Sequence, residues 1–214
     1  MVSSRLTPAP PMPFDLSSLV PWRDRAGRIS ALRLVVFLAV LAPGLVLAGR
    51  AFLGDLGARP LTEVIHVTGD WATRLLLLAI AVTPLARLLG SAKLVGVRRI
   101  IGLATLAYAV VHVVFWAADL GFEAGTMAIE ALVRPYLTIG LVAFAGLIAM
   151  GVTSSDAMVS RLGTERWKRL HGLVHPIVIL ALVLLFLQSK LDLQQGSILT
   201  RSEERRVGKE CRSR

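Results

Sequence analysis

Five long apolar runs, almost free of charge, constrain this chain more than any other feature. A bilayer core about 30 Å thick requires about 20 consecutive apolar residues in a helix, and the runs approach that length. The residues of the whole chain are 55% hydrophobic and only 18% charged, whereas a soluble domain carries about 25% charge. The pattern excludes a soluble globular enzyme, a disordered chain and a DNA-binding domain, despite the formal charge of +10.

The runs predict an all-α fold, a polytopic membrane helix bundle with five visible transmembrane helices. Internal prolines such as Pro43, Pro84 and Pro176 do not argue against spans, because membrane helices tolerate them. The predicted spans are Leu32–Ala48, Trp71–Leu89, Ile100–Leu120, Tyr136–Val152 and Leu170–Gln188.

Basic residues are distributed unequally between the two sides of the predicted bundle. Cytoplasmic loops of membrane proteins carry an excess of Lys and Arg. One side holds Arg5, Arg23, Arg25, Arg28, Arg33, Arg87, Lys93, Arg98, Arg99, Arg161, Arg166, Lys168 and Arg169. The two complete loops of the other side hold only Arg50, Arg59 and Arg134. We therefore expect a cytoplasmic N-terminus.

Three segments are predicted along the chain. Residues 1–31 form a cytoplasmic N-terminal segment, residues 32–195 the transmembrane domain, and residues 196–214 a tail. The tail sequence RSEERRVGKECRSR contains the only cysteine, Cys211, and lacks apolar periodicity. We interpret it as non-native vector-like sequence; the alternative is a native basic tail.

Four histidines are the candidate functional residues. His66 is expected in the loop before the second span, His112 in the middle or outer part of the third, and His171 and His175 at the inner start of the fifth. No Asp or Glu is expected in the helix interiors, so a carboxylate proton relay has no candidates. Intramembrane histidines without carboxylates suit axial ligation of haem iron. The alternative for each is ordinary packing or hydrogen bonding between helices.

Several phrases, taken together, resemble one known family. They are TGDWATRLLLLAIAVTPLARLL, VRRIIGLATLAYAVVH, RPYLTIG, TSSDAMVSRLGTERWKRLHGLV and LQSKLD, which occur in order between residues 64 and 195. They are similar to the haem-binding membrane subunit of the periplasmic protein-methionine-sulfoxide reductase system, in the ferric-reductase-like transmembrane group.

The resemblance implies a six-helix cytochrome b of the bacterial inner membrane. Such a subunit takes electrons from a cytoplasmic flavin reductase or from quinol and passes them through haem b, with FMN also attributed to the family. The acceptor is a periplasmic molybdopterin enzyme that reduces methionine sulfoxide in proteins. It would be an electron-transfer subunit rather than a stand-alone enzyme, embedded in the lipid bilayer, with no nucleic-acid partner.

The resemblance also assigns haem ligands. His112 and His171 match the family's haem histidines on the third and fifth spans. His175 is a weaker candidate in the same segment. Arg98 and Arg99, at the inner start of the third span, could pair with haem propionates, although ordinary positive-inside charge is the alternative.

The chain departs from the family at position 184. The family has a further histidine 13 residues after the one matched by His171, and here that residue is Leu184. His112 follows Arg99 by 13 residues, about 20 Å of helix, whereas His171 follows Arg169 by only two, about 3 Å. Position 184 would lie at the depth of His112, so the expected partner of His112 is missing.

Several interpretations therefore stay open. One is that His112 and His171 share a strongly tilted haem. Another is that each histidine binds one side of a haem iron whose second ligand is weak or foreign. The third is that the chain is a damaged member of its family. His175 gains only about 6 Å of depth over His171 and cannot fully replace the missing histidine. The alternatives to an electron-transfer subunit are a haem-depleted membrane anchor and a direct ferric reductase.

Overall fold

The computed structural model describes residues 30–154, 156–184 and 186, and this part of the chain consists of helices joined by turns and short loops, without strands. Predictions for residues 1–29 and 187–214, including the tail, lie outside the described residues. The helices are α1 (Ala31–Phe52), α2 (Pro60–Leu88), α3 (Ala92–Asp119), α4 (Ala124–Val133), α5 (Pro135–Val152), α6 (Asp156–Leu162), α7 (Thr164–Gly172) and α8 (174–184).

Five helical segments of the described chain are long and apolar enough to cross a membrane, which confirms the predicted fold class. They are α1, α2, the part of α3 from Gly96 to Asp119, α5, and the continuous stretch Thr164–Leu184 that α7 and α8 form together. The chain is therefore a membrane protein with an all-helical transmembrane bundle.

The second span begins eleven residues earlier than predicted. Helix α2 starts at Pro60, which suits a first helical position because its missing N–H has no partner there in any helix. The Glu63 carboxylate accepts the Gly57 N–H at 3.0 Å and pairs with Arg50 of α1 at 2.6 Å. These contacts favour a polar first turn that hydrophobicity alone does not reveal.

Two sequence-based predictions are wrong as a result. His66 was expected in a loop, but it lies in the second turn of α2. Asp70 was expected outside the helix interiors, but it lies in the interior of α2, where its carboxylate accepts a hydrogen bond from Arg74 at 3.0 Å. Both errors have one cause, because the polar residues before Trp71 interrupt the apolar pattern without ending the helix.

Helices α2 and α3 form an antiparallel hairpin that packs along most of its length. Its core combines side chains from three helices and buries Val40, Leu75, Ala79, Val82, Val97, Ile100 and Ile101. The pairing is regular, since residues near 79 lie opposite residues near 100 and Gly69 lies against His112. This register determines the level of every side chain along the hairpin.

A second core joins α5 and α8 to the other side of α2. It buries Leu76, Ala143, Val174, Ile177 and Ala181. Glycines of α5 allow close approach, because a Cβ at Gly146 would lie 2.6 Å from Ile177 and one at Gly151 would collide with Leu106 of α3. Small residues at helix interfaces are the usual means by which membrane helices pack closely.

Tyr108 of α3 forms hydrogen bonds to α1 beside Pro43, the internal proline of α1. The Tyr108 hydroxyl donates to Val40 O at 2.9 Å and accepts from Gly44 N–H at 2.7 Å. An uninterrupted helix would join that N–H and that carbonyl directly. Pro43 disturbs the ladder at this point, and the inserted hydroxyl satisfies both groups.

Two short helices of the described chain, α4 and α6, were not predicted. Helix α4 follows a turn in which Gly121 and Phe122 both have positive φ, and it has no buried residues. With ten residues it is too short to cross a bilayer, which is why a search for long apolar runs does not reveal it.

Candidate functional site

His112 lies between α3 and α2, on the face that α3 turns toward the first turns of α2. Its Nδ1 is 2.7 Å from the backbone carbonyl oxygen of Ile65. A carbonyl can only accept a hydrogen bond, so Nδ1 carries the proton and donates. In this tautomer Nε2 holds the lone pair, which is the form in which a neutral imidazole binds a metal.

Gly69 supplies the space for this imidazole. A Cβ at Gly69 would lie 2.9 Å from both Cε1 and Nδ1 of His112, closer than real side-chain contacts allow. The ring is therefore held on one side by a glycine that cannot be enlarged without moving it. A metal-ligating histidine usually donates its second ring nitrogen to a carbonyl or carboxylate, which orients the ring and raises its basicity. The surroundings of His112 fit that pattern.

His171 is held by its own helix segment rather than by a neighbour. Its ring stacks on Trp167 with the centroids 4.0 Å apart and the planes at 24°. Its Nδ1 lies 3.3 Å from Trp167 O, a longer contact than that of His112. The Trp167 indole N–H donates to Thr153 O at 3.0 Å and so ties α7 to the end of α5. Nε2 of His171 is again the nitrogen that could bind a metal.

The structure does not bring His112 and His171 together. The half-buried Arg98 lies close enough to His171 for the two charges to interact. Arg98 precedes His112 on α3 by 14 residues, about 21 Å of helix rise. Two axial ligands of one iron have their nitrogens only ~4 Å apart. The contacts between helices reduce this difference, because Leu106 of α3 lies against Gly151 of α5 and Ile177 of α8 lies against Gly146. His171 is thus about seven residues, roughly 10 Å, from the level of His112 along the bundle, which is still more than the spacing of two axial ligands on one untilted haem.

The other sequence candidates lie at the surface of the described chain. His175 is exposed, and its Nδ1 contacts Gly172 O at 3.1 Å within the same segment. Arg99 is exposed at the start of the predicted third span, and His66 is exposed on α2. Leu184 is half-buried, and its methyl group lies near Gly140 of α5.

A multi-histidine metal centre is not present in the part of the chain that the structure describes. No three His, Cys, Asp or Glu side chains come together there as a metal site. Axial ligation of haem needs only one or two imidazoles, so His112 and His171 are compatible with haem.

Sequence reasoning missed the residues that fix the histidines. Gly69 was part of a family phrase without a role, and the carbonyl of Ile65 leaves no trace in the sequence. The Trp-x-x-x-His spacing of Trp167 and His171 does place both rings on one face of a helix, and this signal predicts their stacking.

The class of the protein follows from a match to a known transmembrane family. Residues 68–182, which include α3, α5 and both candidate histidines, match the family described as ferric reductase like transmembrane component. An all-helical bundle with histidines on two of its spans is thus the transmembrane domain of a ferric-reductase-like protein. No solved structure matches the chain.

Similar proteins narrow the family further. The chain is 40% identical over 159 residues to a protein-methionine-sulfoxide reductase heme-binding subunit MsrQ of Caulobacter vibrioides, covering 74% of this chain and 76% of the relative. It is 38% identical to the MsrQ of Ralstonia nicotianae, covering 78% and 76%, and 37% identical to that of Rhodospirillum rubrum, covering 85% of each. The chain belongs to the MsrQ family of heme-binding subunits.

Proposed function

We propose that this protein is the haem-binding membrane subunit of a protein-methionine-sulfoxide reductase system and carries electrons from one side of the membrane to the other. The observation that carries the proposal is the His112 tautomer, with Nδ1–H bound to Ile65 O and Nε2 left to ligate. Family membership supplies the cofactor class, since the relatives are named as heme-binding subunits.

His112 and His171 are the proposed haem-holding residues, each through Nε2. Haem, when bound, supplies a one-electron carrier whose potential is set by its axial ligands and surroundings. The protein orients the imidazoles: the carbonyl of Ile65 fixes the first ring, and Trp167 supports the second. Arg98 and Arg99, at the basic end of α3, would supply positive charge to the propionates of a bound haem.

Two separate levels suit transfer across a bundle. His171 lies near the basic end of α3, and His112 lies nearer its other end. Haem held at these two levels would provide two steps for electrons that cross the bundle. On this proposal the basic end faces the cytoplasm of a bacterium and receives electrons from a flavin reductase or from quinol. A periplasmic molybdopterin enzyme that reduces methionine sulfoxide takes them at the opposite end. The N-terminus is then cytoplasmic and the membrane is the inner one.

The decisive experiment is optical. The protein is expressed with ample haem supply, purified in mild detergent, and measured oxidised and dithionite-reduced. We expect b-type Soret and α bands that fall in His112→Ala by the haem fraction that depends on His112, and that are retained in full in the matched control His175→Ala, whose imidazole is exposed. Equal loss in both variants, or no haem absorbance in the unaltered chain, contradicts the proposal.

One observation favours a second candidate, a membrane anchor that binds little haem. The family's further histidine is Leu184 here, and its side chain packs near Gly140. The variant Leu184→His tests this directly. If haem occupancy per chain rises in it and the low-spin signal in electron paramagnetic resonance strengthens, the missing ligand limits loading. If the unaltered chain already binds haem at full occupancy, and Leu184→His does not change that occupancy, the protein is not an anchor that binds little haem.

FMN remains a prediction from the resemblance. Acid precipitation of the purified protein releases noncovalent flavin, which fluorescence quantifies. A stoichiometric yield supports an FMN site, and no released flavin contradicts it.

A further inference from the structure

A charged pair lies on the outward face of α2. Asp70 and Arg74 are one helical turn apart, with Nη2 and Oδ2 at 3.0 Å, and their side chains are 57% and 62% exposed. The Arg74 guanidinium also lies 5.4 Å from the centre of the Trp71 ring. His66 extends the same exposed stripe by one turn. The stripe faces away from α3, whose contacts occupy the opposite side of α2.

The pair lies halfway along the apolar part of the hairpin. In the antiparallel register given by His112 against Gly69, Asp70 is level with about residue 111 of α3 and Arg74 with about residue 107, so the pair is centred near the level of residue 109. Residue 109 is ten residues from Arg99 and ten from Asp119, about 15 Å from each. The segment Gly96–Asp119 is long and apolar enough to cross a bilayer, and in such a span both charges would lie at the depth of hydrocarbon.

Lipid hydrocarbon is an unfavourable environment for this stripe of charged and polar side chains. An ionised side chain at the bilayer centre costs several kcal/mol, and such residues almost always face protein or a water-filled cavity. Mutual pairing lowers the cost but leaves more than half of each side chain uncovered. Some polar or charged surface therefore has to cover the pair in the membrane.

We propose that the stripe is the contact surface for a second copy of this chain. Opposite charges four residues apart form a patch that is complementary to itself, as a two-fold interface requires. With the axis along the membrane normal, two copies of α2 lie parallel, and Asp70 of each copy reaches Arg74 of the other across about 6 Å of rise. The patch has no net charge from this pair, which suits an identical patch better than a purely anionic or cationic surface.

The rest of the outward face is compatible with close helix packing. Below the pair, Leu78, Ala81 and Leu85 continue the exposed face toward the basic end. Ala81 is small enough to let two helices approach, and the leucines provide dispersion contacts on either side.

Cross-linking in native membranes tests the interface without altering the pair. In a Cys211→Ser background, Leu78→Cys should form a covalent dimer on oxidation, whereas Val142→Cys, exposed on α5, should not. A product containing a different membrane protein, equal dimer yield at both positions, or no dimer at Leu78→Cys each overturns the proposal.

Charge variants then test the pairing itself. Asp70→Asn and Arg74→Gln should each lower the Leu78→Cys dimer yield about three- to tenfold. Mixing the two variants, tagged differently, should recover part of the yield, because one Asp70–Arg74 contact between copies survives in the mixed dimer. Circular dichroism checks that both stay helical. If the mixed pair is no better than either variant alone, the charges do not bridge two copies.

Discussion

The two candidate histidines are held in different ways. His112 reaches across to the backbone of α2 and rests on Gly69, so residues more than 40 positions away in sequence fix its ring. His171 stacks on Trp167 and contacts its carbonyl, four residues earlier in the same segment. One imidazole is therefore positioned by tertiary packing and the other by local helix geometry.

This difference has a physical consequence for ligation. The orientation of the His112 ring depends on the relative position of α2 and α3. The orientation of the His171 ring depends only on the geometry of its own helical turn, so it is kept when that turn moves as a unit. Changes in the α2–α3 interface should therefore disturb His112 and spare His171. Changes at Trp167 should do the reverse.

The largest expected effect comes from Gly69→Ala. The added Cβ would lie 2.9 Å from the His112 ring, so the ring has to move and its bond to Ile65 weakens. We expect loss of about 1–3 kcal/mol of stability and loss of the haem fraction that depends on His112. Denaturant titration in detergent and the haem-to-protein absorbance ratio measure the two effects.

The matched control is Gly102→Ala, because nothing lies within 4 Å of a Cβ at that position of α3. It should be neutral or more stable by up to about 1 kcal/mol. If Gly102→Ala lowers haem content as much as Gly69→Ala, packing against the His112 ring is not the cause.

Tyr108→Phe examines the same face of α3 one turn from His112. It removes the hydroxyl between Val40 O and Gly44 N–H while keeping the ring. Leaving these groups without that partner should cost about 1–3 kcal/mol in the free energy of unfolding. Haem absorbance should change little, since α2 still holds His112. A large spectral change with normal stability would show that Tyr108 acts on the site itself.

Trp167→Phe should have a smaller effect, confined to the other histidine. Phenylalanine keeps an aromatic ring near His171 but cannot donate to Thr153 O. We expect about 0.5–1.5 kcal/mol less stability. The spectral change should be additive with that of Gly69→Ala, as expected for distant sites. Strong non-additivity in the double variant would mean that one haem connects the two histidines after all.

Much of the fold could be predicted from the sequence, but its polar parts could not. The predicted spans Tyr136–Val152 and Leu32–Ala48 lie within α5 and α1, because both segments are strongly apolar over almost their whole length. The start of α2 was misplaced because Glu63, His66 and Asp70 are helical without being apolar. Their helical conformation depends on the proline start and on ion pairing with α1, which the apolar pattern does not reveal.

The candidate site was only partly visible in the sequence. His112 and His171 stand out because histidines are rare in apolar runs, and their family phrases are distinctive. The partners Ile65 and Gly69 were invisible, since a carbonyl acceptor has no sequence signature. The level of Asp70 along the hairpin could not be predicted from the sequence, because it follows from the pairing of α2 with α3.

The sequence alone determined that the chain is a membrane bundle of five visible spans, because a hydrocarbon slab selects contiguous apolar side chains, and contiguity is a property of the chain itself. Only the tertiary structure decided which ring nitrogen of His112 carries the proton and at which level of the α2–α3 hairpin the Asp70–Arg74 pair lies. Both depend on how two helices slide past each other, and that register is set by side-chain packing between segments far apart in the sequence.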